Sequence, residues 1–488
     1  MPDPDERKKI LITGATGYIG RRLKERLLAA PHLSLRLLVR NAGKVRAAVR
    51  DRVEIFEGDT FDWEKLTRAL TGIDCAYYLI HSMGAQSDDF EKLDRISAEN
   101  FRDAAIAAGV KRIIYLGGLG VRATASKHLL SRIETGEILS ARPDAIQTIW
   151  IRAGVIIGSG SASFEIIRNL VQKLPFMITP RWVRTRTQPI SVDDVLSYLV
   201  GSLTLPPGKN LVVDIGCGEM SFAGMLKEAA AEMGLKRLII PVPLLTPRLS
   251  SSWLTLFTPV PYKMAAALVE GLKSETILQN DHAARFFPTI TPLSYRAAVR
   301  LAIRDIEQRQ VLSRWCDSSA GEACDIKDQD DMASAVLRDQ RVCDFGAIAP
   351  ERIFRAVCSI GGERGWFSYH LLWMTRGFID KLVGGYGLNR GRRDPEELRV
   401  GDALDFWKVA DLKPNKRLLL LAQMKVPGRA WLEFDIQGHH LIQTAHFYPK
   451  GVGGRLYWYA VLPLHAFVFA DLIKKIIRRA AESGNTVP

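Results

Sequence analysis

Three glycines near the start of the chain have the spacing of a phosphate-binding loop. Gly14, Gly17 and Gly20 follow one another at steps of three in the stretch KILITGATGYIG, residues 9–20. An apolar run before them predicts a buried strand, and apolar residues at steps of four after them predict a helix. Such glycines allow a tight turn, bring backbone N–H groups to a pyrophosphate and let the helix lie close to its strand. The stretch therefore predicts a dinucleotide site, although glycine triplets also occur in ordinary turns between a strand and a helix.

A basic residue follows the second predicted strand, at 35–39. An NAD-preferring site would place an acidic residue there to bind the ribose 2′-hydroxyl. Arg40 occupies this position, with Lys44 and Arg46 shortly after it, and a guanidinium suits a 2′-phosphate instead. We therefore expect NADP(H) as the preferred cofactor and NAD(H) as the alternative, unless Arg40 only caps a strand at the surface.

The elements that would position these residues alternate along the chain. Further apolar runs predict strands at 53–56, 76–80, 113–116, 148–151 and 211–215, and intervening periodic segments predict helices at 63–70 and 94–108. Alternation of this kind indicates a parallel sheet with helices on both faces. The predicted fold class is α/β, a doubly wound Rossmann sheet.

Length and charge limit the remaining possibilities. The 488 residues are too many for a single core. The net charge of +14 would suit nucleic acid, an anionic membrane surface or phosphorylated ligands, or it is diffuse surface charge. No nucleic-acid-binding motif is present, so we expect no nucleic-acid partner.

Cysteine usage and apolar runs bear on the compartment. The six cysteines are scattered, without a Cys-x-x-Cys pair or histidines at zinc spacing, so we expect reduced thiols and no metal. The N-terminus does not resemble a signal peptide, and no apolar run reaches transmembrane length. The expected location is the cytoplasm, with peripheral contact at the inner face of the cell membrane as an addition.

The last third of the chain has a different pattern. Polar and acidic residues at 316–331 predict a linker, so the expected domains are 1–312, a linker at 313–335 and a second domain at 336–482. Strand-like runs at 417–426, 431–436 and 440–447 precede a long final helix at 455–481. This pattern resembles the α+β helix-grip fold of START and SRPBCC proteins, which encloses an apolar cavity. The residues that would line such a cavity, or form an ordinary core, are Trp366, Phe367, Trp373, Trp407, Tyr457 and Trp458.

Two apolar segments have alternative interpretations. The proline-punctuated run at 238–272 is either a buried cap on the substrate side or a surface for a membrane or partner. The final helix ends in Lys474, Lys475, Arg478 and Arg479. These cations complement the helix dipole, and after an apolar run they also suit interfacial membrane contact.

The glycine spacing and the segment TQPISVDDV (187–195) resemble extended and atypical short-chain dehydrogenase/reductases. The whole chain resembles YbjT-type NAD(P)H-binding proteins, most clearly in GGERGWF (361–367), LWMTR (372–376) and GRLYWYAVLPLHAF (454–467). Its first half is also similar to NmrA-type regulators. With the glycine loop and Arg40, the resemblance implies these cofactor-binding residues: Gly14, Ala15, Thr16, Gly17, Tyr18, Ile19, Gly20, Arg40, Asp59, Thr60, Ile80, His81, Ser82 and Gly117.

The catalytic residues of that family are replaced here. The family uses a Ser after the fifth strand and a Tyr followed four residues later by a Lys, which lowers the pKa of the Tyr. Glycines, including Gly117, stand where the Ser is expected, and His128 and Arg132 keep the Tyr and Lys spacing. Arginine is not a useful proton donor, whereas histidine exchanges protons near neutral pH.

Three functions remain open. The first is an NADPH-dependent reductase of an apolar or quinone-like substrate, with His128 and Arg132 as candidate catalytic residues. The second is a non-catalytic NADPH-binding regulator or complex-assembly factor. The third is a lipid- or isoprenoid-binding protein that carries the nucleotide as a structural or regulatory ligand. The substituted Ser, Tyr and Lys favour the second and third, and the intact glycine loop favours the first.

Overall fold

The computed structural model describes residues 7–42, 45, 47–80, 90–179, 181–241, 270–271, 274–307, 337–382, 387, 392–394, 397–449 and 451–482. The chain forms two compact units, residues 1–321 and 322–488. The predicted site residues His81 and Ser82 lie outside the described residues. So do Lys44, Arg46, the predicted linker and most of the apolar run at 238–272.

The N-terminal unit alternates strands and helices. Its strands are β1 (Lys8–Thr13), β2 (Leu33–Val39), β3 (Glu54–Glu57), β4 (Cys75–Tyr78), β5 (Arg112–Gly118), β6 (Gln147–Ala153), β7 (Ile156–Ile157), β8 (Phe176–Thr179), β9 (Arg186–Thr187), β10 (Ile190–Ser191), β11 (Leu211–Ile215), β12 (Met220–Ser221) and β13 (Leu238–Pro241). Its helices are α1 (Tyr18–Leu28), α2 (Ala47–Arg50), α3 (Trp63–Leu70), α4 (Phe90–Ala107), α5 (Lys127–Leu139), α6 (Ala162–Lys173), α7 (Val192–Gly201), α8 (Phe222–Glu232), α9 (His282–Phe286) and α10 (Tyr295–Glu307).

Seven of these strands form one parallel sheet in the order β11-β6-β5-β4-β1-β2-β3. Alternate side chains of β1 pack on opposite faces, with Ile10 and Ile12 in one core cluster and Leu11 in another. The strand order reverses between β1 and β4, which is the switch point where doubly wound sheets bind ligands. The predicted parallel Rossmann-type sheet is confirmed.

The C-terminal unit is built around an antiparallel sheet. Its elements are β14 (Leu337–Asp344), α11 (Pro350–Cys358), α12 (His370–Leu382), β15 (Ala403–Leu404), β16 (Trp407–Lys413), β17 (Arg417–Ala422), β18 (Gly428–Gln437), β19 (His440–Pro449) and α13 (Gly451–Glu482). The described strands run in the order β14-β19-β18-β17-β16-β15, so the first strand pairs with the last. The helix-grip assignment remains a prediction. No helix among the described residues is long and apolar enough to cross a membrane.

The C-terminal strands differ from the expected ones for a physical reason. In β14 the buried position is held by Asp339 and a half-buried one by Arg341, so the strand does not alternate apolar with polar residues. The apolar residues of α12 face both the core and the exposed side, which hides a helical period. The final helix begins at Gly451, four residues before the predicted start, and continues through Pro463.

The aromatic residues of this unit pack against one another. The rings of Trp366 and Phe406 are stacked 6.1 Å apart, and Trp373 lies 5.0 Å from Trp366. Trp407 and Trp458 are buried in the same cluster. The indole N–H of Trp366 donates a hydrogen bond to the carboxylate of Asp405 at 2.8 Å. These contacts favour the core interpretation of the aromatic set.

Candidate nucleotide-binding site

The glycine loop joins β1 to α1 at the switch point of the sheet. Gly14 has a φ of +64°, and a Cβ atom there would lie 2.4 Å from the carbonyl oxygen of Leu79. A Cβ atom on Gly20 would lie 2.2 Å from the carbonyl oxygen of Gly14. Both neighbours are backbone atoms, so neither position accepts a side chain without moving the chain. The close approach explains why the loop requires glycine at these two positions.

The first turn of α1 faces this loop without a capping side chain. Gly17 is the residue that precedes the helix, and its N–H donates to the carbonyl of Gly14 at 2.9 Å. Since Gly17 has no side chain to cap the helix, the N–H groups of the first turn are available to an anion. Ala15 is buried against the core, and the carbonyl of Thr16 accepts from the Arg21 guanidinium at 2.8 Å. The loop therefore fits the pyrophosphate of a dinucleotide.

Thr13 fixes the ends of two neighbouring strands across the switch point. Its hydroxyl donates to the carbonyl of Tyr77 at 2.9 Å and accepts from the N–H of Leu79 at 3.2 Å. Thr13 is completely buried. These bonds hold the chain after β4 against the loop after β1, where a nucleotide would lie. Sequence reasoning missed Thr13, although a Thr that ends an apolar strand just before the glycine loop is a recognisable signal.

Arg40 directly follows β2, at the carboxyl end of the sheet. Its side chain is exposed and makes no hydrogen bond or ion pair to another residue in the described part of the chain. On the adjacent strand, the carboxylate of Glu57 accepts from the N–H of Ala42 at 2.6 Å. This hydrogen bond holds the turn after Arg40 against the end of β3. The guanidinium of Arg40 therefore stays exposed at this edge of the sheet.

Asp59 and Thr60 follow β3 and have different environments. The carboxylate of Asp59 is half-buried and accepts from the N–H of Phe61 at 3.3 Å. The Thr60 hydroxyl is buried and lies 2.7 Å from that of Ser97, which lies 2.7 Å from the phenol of Tyr78. Burial raises the pKa of Tyr78 well above its usual value, so this chain of hydroxyls stays neutral. Thr60 thus attaches the loop to β4 and α4 and positions Asp59.

Tyr18 and Arg22 anchor α1 to distant parts of the chain. The Tyr18 phenol donates to the carbonyl of Ser159 at 3.2 Å. The Arg22 guanidinium donates to the same carbonyl at 2.7 Å and to the Ser159 hydroxyl at 2.8 Å. That hydroxyl donates to Asp305 at 3.1 Å, and burial raises the pKa of Asp305 while the Ser159 bond and Arg22 oppose the rise. Tyr18 therefore serves to fix the nucleotide-facing helix, and Ile19 packs against the core.

The space beside Gly117, at the end of β5, is filled by Trp150 of β6. A Cβ atom on Gly117 would lie 2.4 Å from Nε1 of Trp150, and one on Gly118 would lie 2.7 Å from Cδ1 of Leu129. A Cβ atom on Gly136 of α5 would lie 2.3 Å from Cε2 of the same indole. Trp150 thus occupies the region between β5 and α5 that the expected serine side chain would need. Sequence reasoning missed this residue.

Arg132 ties α5 to the end of β5. Its guanidinium donates to the carbonyl of Leu116 at 3.0 Å, and its own carbonyl accepts from the phenol of Tyr115 at 2.9 Å. His128 lies one helical turn earlier and is half-buried. Burial lowers the pKa of His128, and the carboxylates of Glu270 and Asp94 act in the opposite direction. The imidazole is therefore mainly neutral near pH 7.

The structure brings most of the predicted residues to one edge of the sheet. Gly14, Arg40, Asp59, Ile80 and Gly117 each lie at or just after the carboxyl end of one of five neighbouring strands. This edge, at a switch point, is where ligands bind in open α/β sheets. The helix that carries His128 and Arg132 starts a few residues after β5 ends. The side chains of Thr60, Tyr18 and Arg132 are used within the protein, whereas the glycine loop and Arg40 remain available to a ligand.

Two regions of the chain match known families. Residues 14–149 match a family described as NAD(P)H-binding, and they include the glycine loop. Residues 332–472 match a family described as a protein of unknown function, DUF2867. The N-terminal unit therefore carries an NAD(P)H-binding domain. The preference between NADP(H) and NAD(H) remains a prediction.

Similar proteins include several reductases. The ceramide reductase of Caulobacter vibrioides is 28% identical over 245 residues, which span 49% of this chain and 75% of the relative. The sanguinarine reductase of Eschscholzia californica is 27% identical over 261 residues, which span 44% of this chain and 91% of the relative. A solved structure of triphenylmethane reductase from Citrobacter sp. has a TM-score of 0.51 at 20% identity and covers 61% of this chain and 99% of that one. The last match shows a shared fold.

Proposed function

We propose that the chain is an NADPH-dependent oxidoreductase that reduces an apolar substrate such as a hydrophobic carbonyl compound or a quinone. The observation that carries this proposal is the close-packed glycine loop at the switch point, with an uncapped helix start beside it. The similarity to proteins named as reductases supports reduction as the reaction. The activity is assigned to residues 1–312, joined by a linker at 313–335 to a second domain at 336–482.

Each nucleotide group has a candidate partner in the chain. The N–H groups of the first turn of α1 would hold the pyrophosphate, and Arg40 would hold the 2′-phosphate. Asp59 would lie on the adenine side, after β3. A bound reduced nicotinamide supplies a hydride. The protein must then hold the substrate and exchange a proton with its oxygen.

His128 is the proposed source of that proton. Its imidazolium form can donate a proton to the substrate oxygen and regain one from solvent, and because burial lowers the pKa of His128 this form gives up its proton readily. Arg132 has a positioning role, since its guanidinium already binds the carbonyl of Leu116.

A second function is favoured by one specific contact. Because Trp150 fills the space beside Gly117, the catalytic serine of typical dehydrogenases has no room there. A domain that binds NADPH without turnover, as a regulator or assembly factor, would tolerate this change. In that case the C-terminal domain would bind a hydrophobic ligand. The pairing of its first strand with its last, under a long final helix, supports the helix-grip interpretation on which this depends.

The test is oxidation of NADPH by the full chain in the presence of aldehydes, ketones and quinones of increasing hydrophobicity. We expect turnover of an apolar member, its loss in Gly20→Ala, and its loss in His128→Ala with NADPH binding retained. Lys127→Ala, which changes the exposed neighbour of His128, is the matched control and should retain turnover. NADPH binding without turnover of any member would favour the regulator. Full activity of His128→Ala would remove His128 from the mechanism.

A further inference from the structure

Helix α12 of the C-terminal unit presents apolar side chains on its exposed side. Leu371 is 74% exposed, and Met374, Phe378 and Leu382 are also exposed. Their spacing of three and four residues places them on one stripe. A helix face that is not covered by protein normally carries charged and polar residues instead. An exposed apolar face of this kind is typical of a surface that binds a protein partner or a membrane.

The first half of α13 also exposes apolar side chains. Leu456 and Phe467 are each 66% exposed, and Tyr459 and Leu464 are exposed between them. The helix has 32 residues, and its outward stripe changes from apolar to cationic at Lys474 and Arg478. The apolar part spans roughly 17 Å along the axis at 1.5 Å per residue. Apolar length followed by cations is typical of helices that lie in a membrane interface.

Helix α12 and the segment before it contact α13. The guanidinium of Arg376 on α12 donates to the phenol of Tyr457 on α13 at 3.4 Å. Just before α12, the Ser368 hydroxyl donates to Asp471 of α13 at 2.7 Å. Both helices therefore expose apolar side chains, and we call these together the α12/α13 surface: Leu371, Met374, Phe378, Leu382, Leu456, Tyr459, Leu464 and Phe467.

Cations outnumber carboxylates on the two helices that form the α12/α13 surface. Between residues 370 and 382 and between residues 451 and 470, Asp380 is the one acidic residue in the sequence. Asp380 is completely buried and accepts from the backbone N–H groups of Gly387 at 2.9 Å and Lys425 at 2.7 Å. Arg455 is exposed at the start of the surface and Lys474 at its far end. Asp471 pairs with Lys475 at 2.8 Å and Glu482 pairs with Arg478 at 3.6 Å, so Arg455 and Lys474 are the exposed cations that an anionic surface would meet first.

We propose that the α12/α13 surface binds a bilayer that contains anionic phospholipids, with both helices parallel to the membrane plane. Apolar side chains gain free energy when they enter the boundary between headgroups and acyl chains, and the cations at either end attract anionic headgroups. A second copy of the chain fits less well, because a two-fold contact would place like charges together. The proposal is independent of the reductase activity.

The test is flotation of the full chain with vesicles of phosphatidylcholine, with and without phosphatidylglycerol. We expect binding to the anionic vesicles that weakens as salt is added. Leu371→Ser combined with Phe467→Ser should lower the partition coefficient at least tenfold. The matched control is Phe176→Ser in the N-terminal unit, where the side chain is also 66% exposed, and it should bind as the wild type does. Lys474→Ala combined with Arg478→Ala should weaken binding about fivefold for each charge.

Other outcomes would overturn the proposal. One is a wild-type chain that binds neither kind of vesicle. Another is a Phe176→Ser variant that loses as much binding as the variant with both Leu371→Ser and Phe467→Ser. A third is a wild-type dimer in sedimentation that the Leu371 and Phe467 changes dissociate, which would assign the surface to a second copy. Because these side chains are exposed, the variants should keep the thermal midpoint of the wild type. The charge variants provide a second test if the apolar ones fail to fold.

Discussion

The indole of Trp150 excludes any residue larger than Gly117 at that position, because a Cβ atom there would lie 2.4 Å from the indole nitrogen. Gly117 pairs with Arg152 in the parallel sheet, and Trp150 precedes Arg152 by two residues on the same strand. The two side-chain positions therefore share one face of the sheet. The Trp150 ring thus fills the space that a serine side chain at position 117 would need.

A serine at position 117 should therefore destabilise the protein. We expect Gly117→Ser to lower the thermal midpoint by several degrees, because the rigid indole cannot move aside. Gly118→Ser is the matched control. Its Cβ atom would meet the end of the flexible Leu129 side chain, so the loss should be smaller. Thermal unfolding of both variants measures the difference, and equal midpoints would mean that Trp150 repacks freely.

Arg40 should determine the preference between the two cofactors. Replacement of Arg40 by Asp would remove the proposed charge-assisted hydrogen bond to the 2′-phosphate, which would be worth about 1–3 kcal/mol. NADPH affinity should fall accordingly while NADH affinity is unchanged or improved. Arg142→Asp, an identical charge change on an exposed residue after α5, is the control for net charge. Calorimetric titrations with both nucleotides check this. If the two variants behave alike, Arg40 is only a surface residue.

Two arginines on α1 should differ in their contribution to stability. Arg22 is 4% exposed, and its guanidinium donates to the Ser159 hydroxyl. Arg22→Leu leaves buried polar groups without partners, which should lower the free energy of unfolding by about 1–3 kcal/mol. Arg26, one turn later, forms a solvent-exposed ion pair with Asp193, and Arg26→Leu should cost about 0.2–1 kcal/mol. Denaturant unfolding of both variants measures the difference. A larger loss for Arg26→Leu would contradict the anchoring role of Arg22.

His465 should make the protein less stable in mild acid. Burial between Trp458 and Phe469 lowers the pKa of His465, while Asp339 opposes this shift. The unfolded chain then binds a proton at pH values where the folded chain does not, so stability falls as the pH drops below about 6.5. His465→Gln should reduce this decline.

The thermal midpoint between about pH 7.5 and pH 5.5 tests the prediction. The control is His440→Gln, a change at an exposed histidine of β19, which should decline as the wild type does. A decline in His465→Gln as steep as in the wild type would show that other groups cause the acid sensitivity.

The sequence alone predicts the features that depend on residues close together in the chain. The glycine spacing and the apolar run before it predict the loop between β1 and α1, because turn geometry and strand burial involve neighbouring residues. The contact between Trp150 and Gly117 was not predictable in this way, since it joins residues of two strands. The anchor from Arg22 through Ser159 to Asp305 joins residues 137 and 146 positions apart. Strand β14 was missed because Asp339 and Arg341 interrupt its apolar alternation.

The central claim is that the Gly14–Gly20 loop binds a nicotinamide dinucleotide. Calorimetric titration of the full chain with NADPH, NADP⁺ and NADH tests it most directly, alongside Gly20→Ala and Gly218→Ala. A Cβ atom on Gly20 meets backbone atoms, whereas one on Gly218 has no atom within 4 Å. We predict that NADPH binds to the wild type and to Gly218→Ala, and that Gly20→Ala binds none of the three. A wild type that binds none of them, or a Gly20→Ala variant that binds as well as the wild type, would contradict the account.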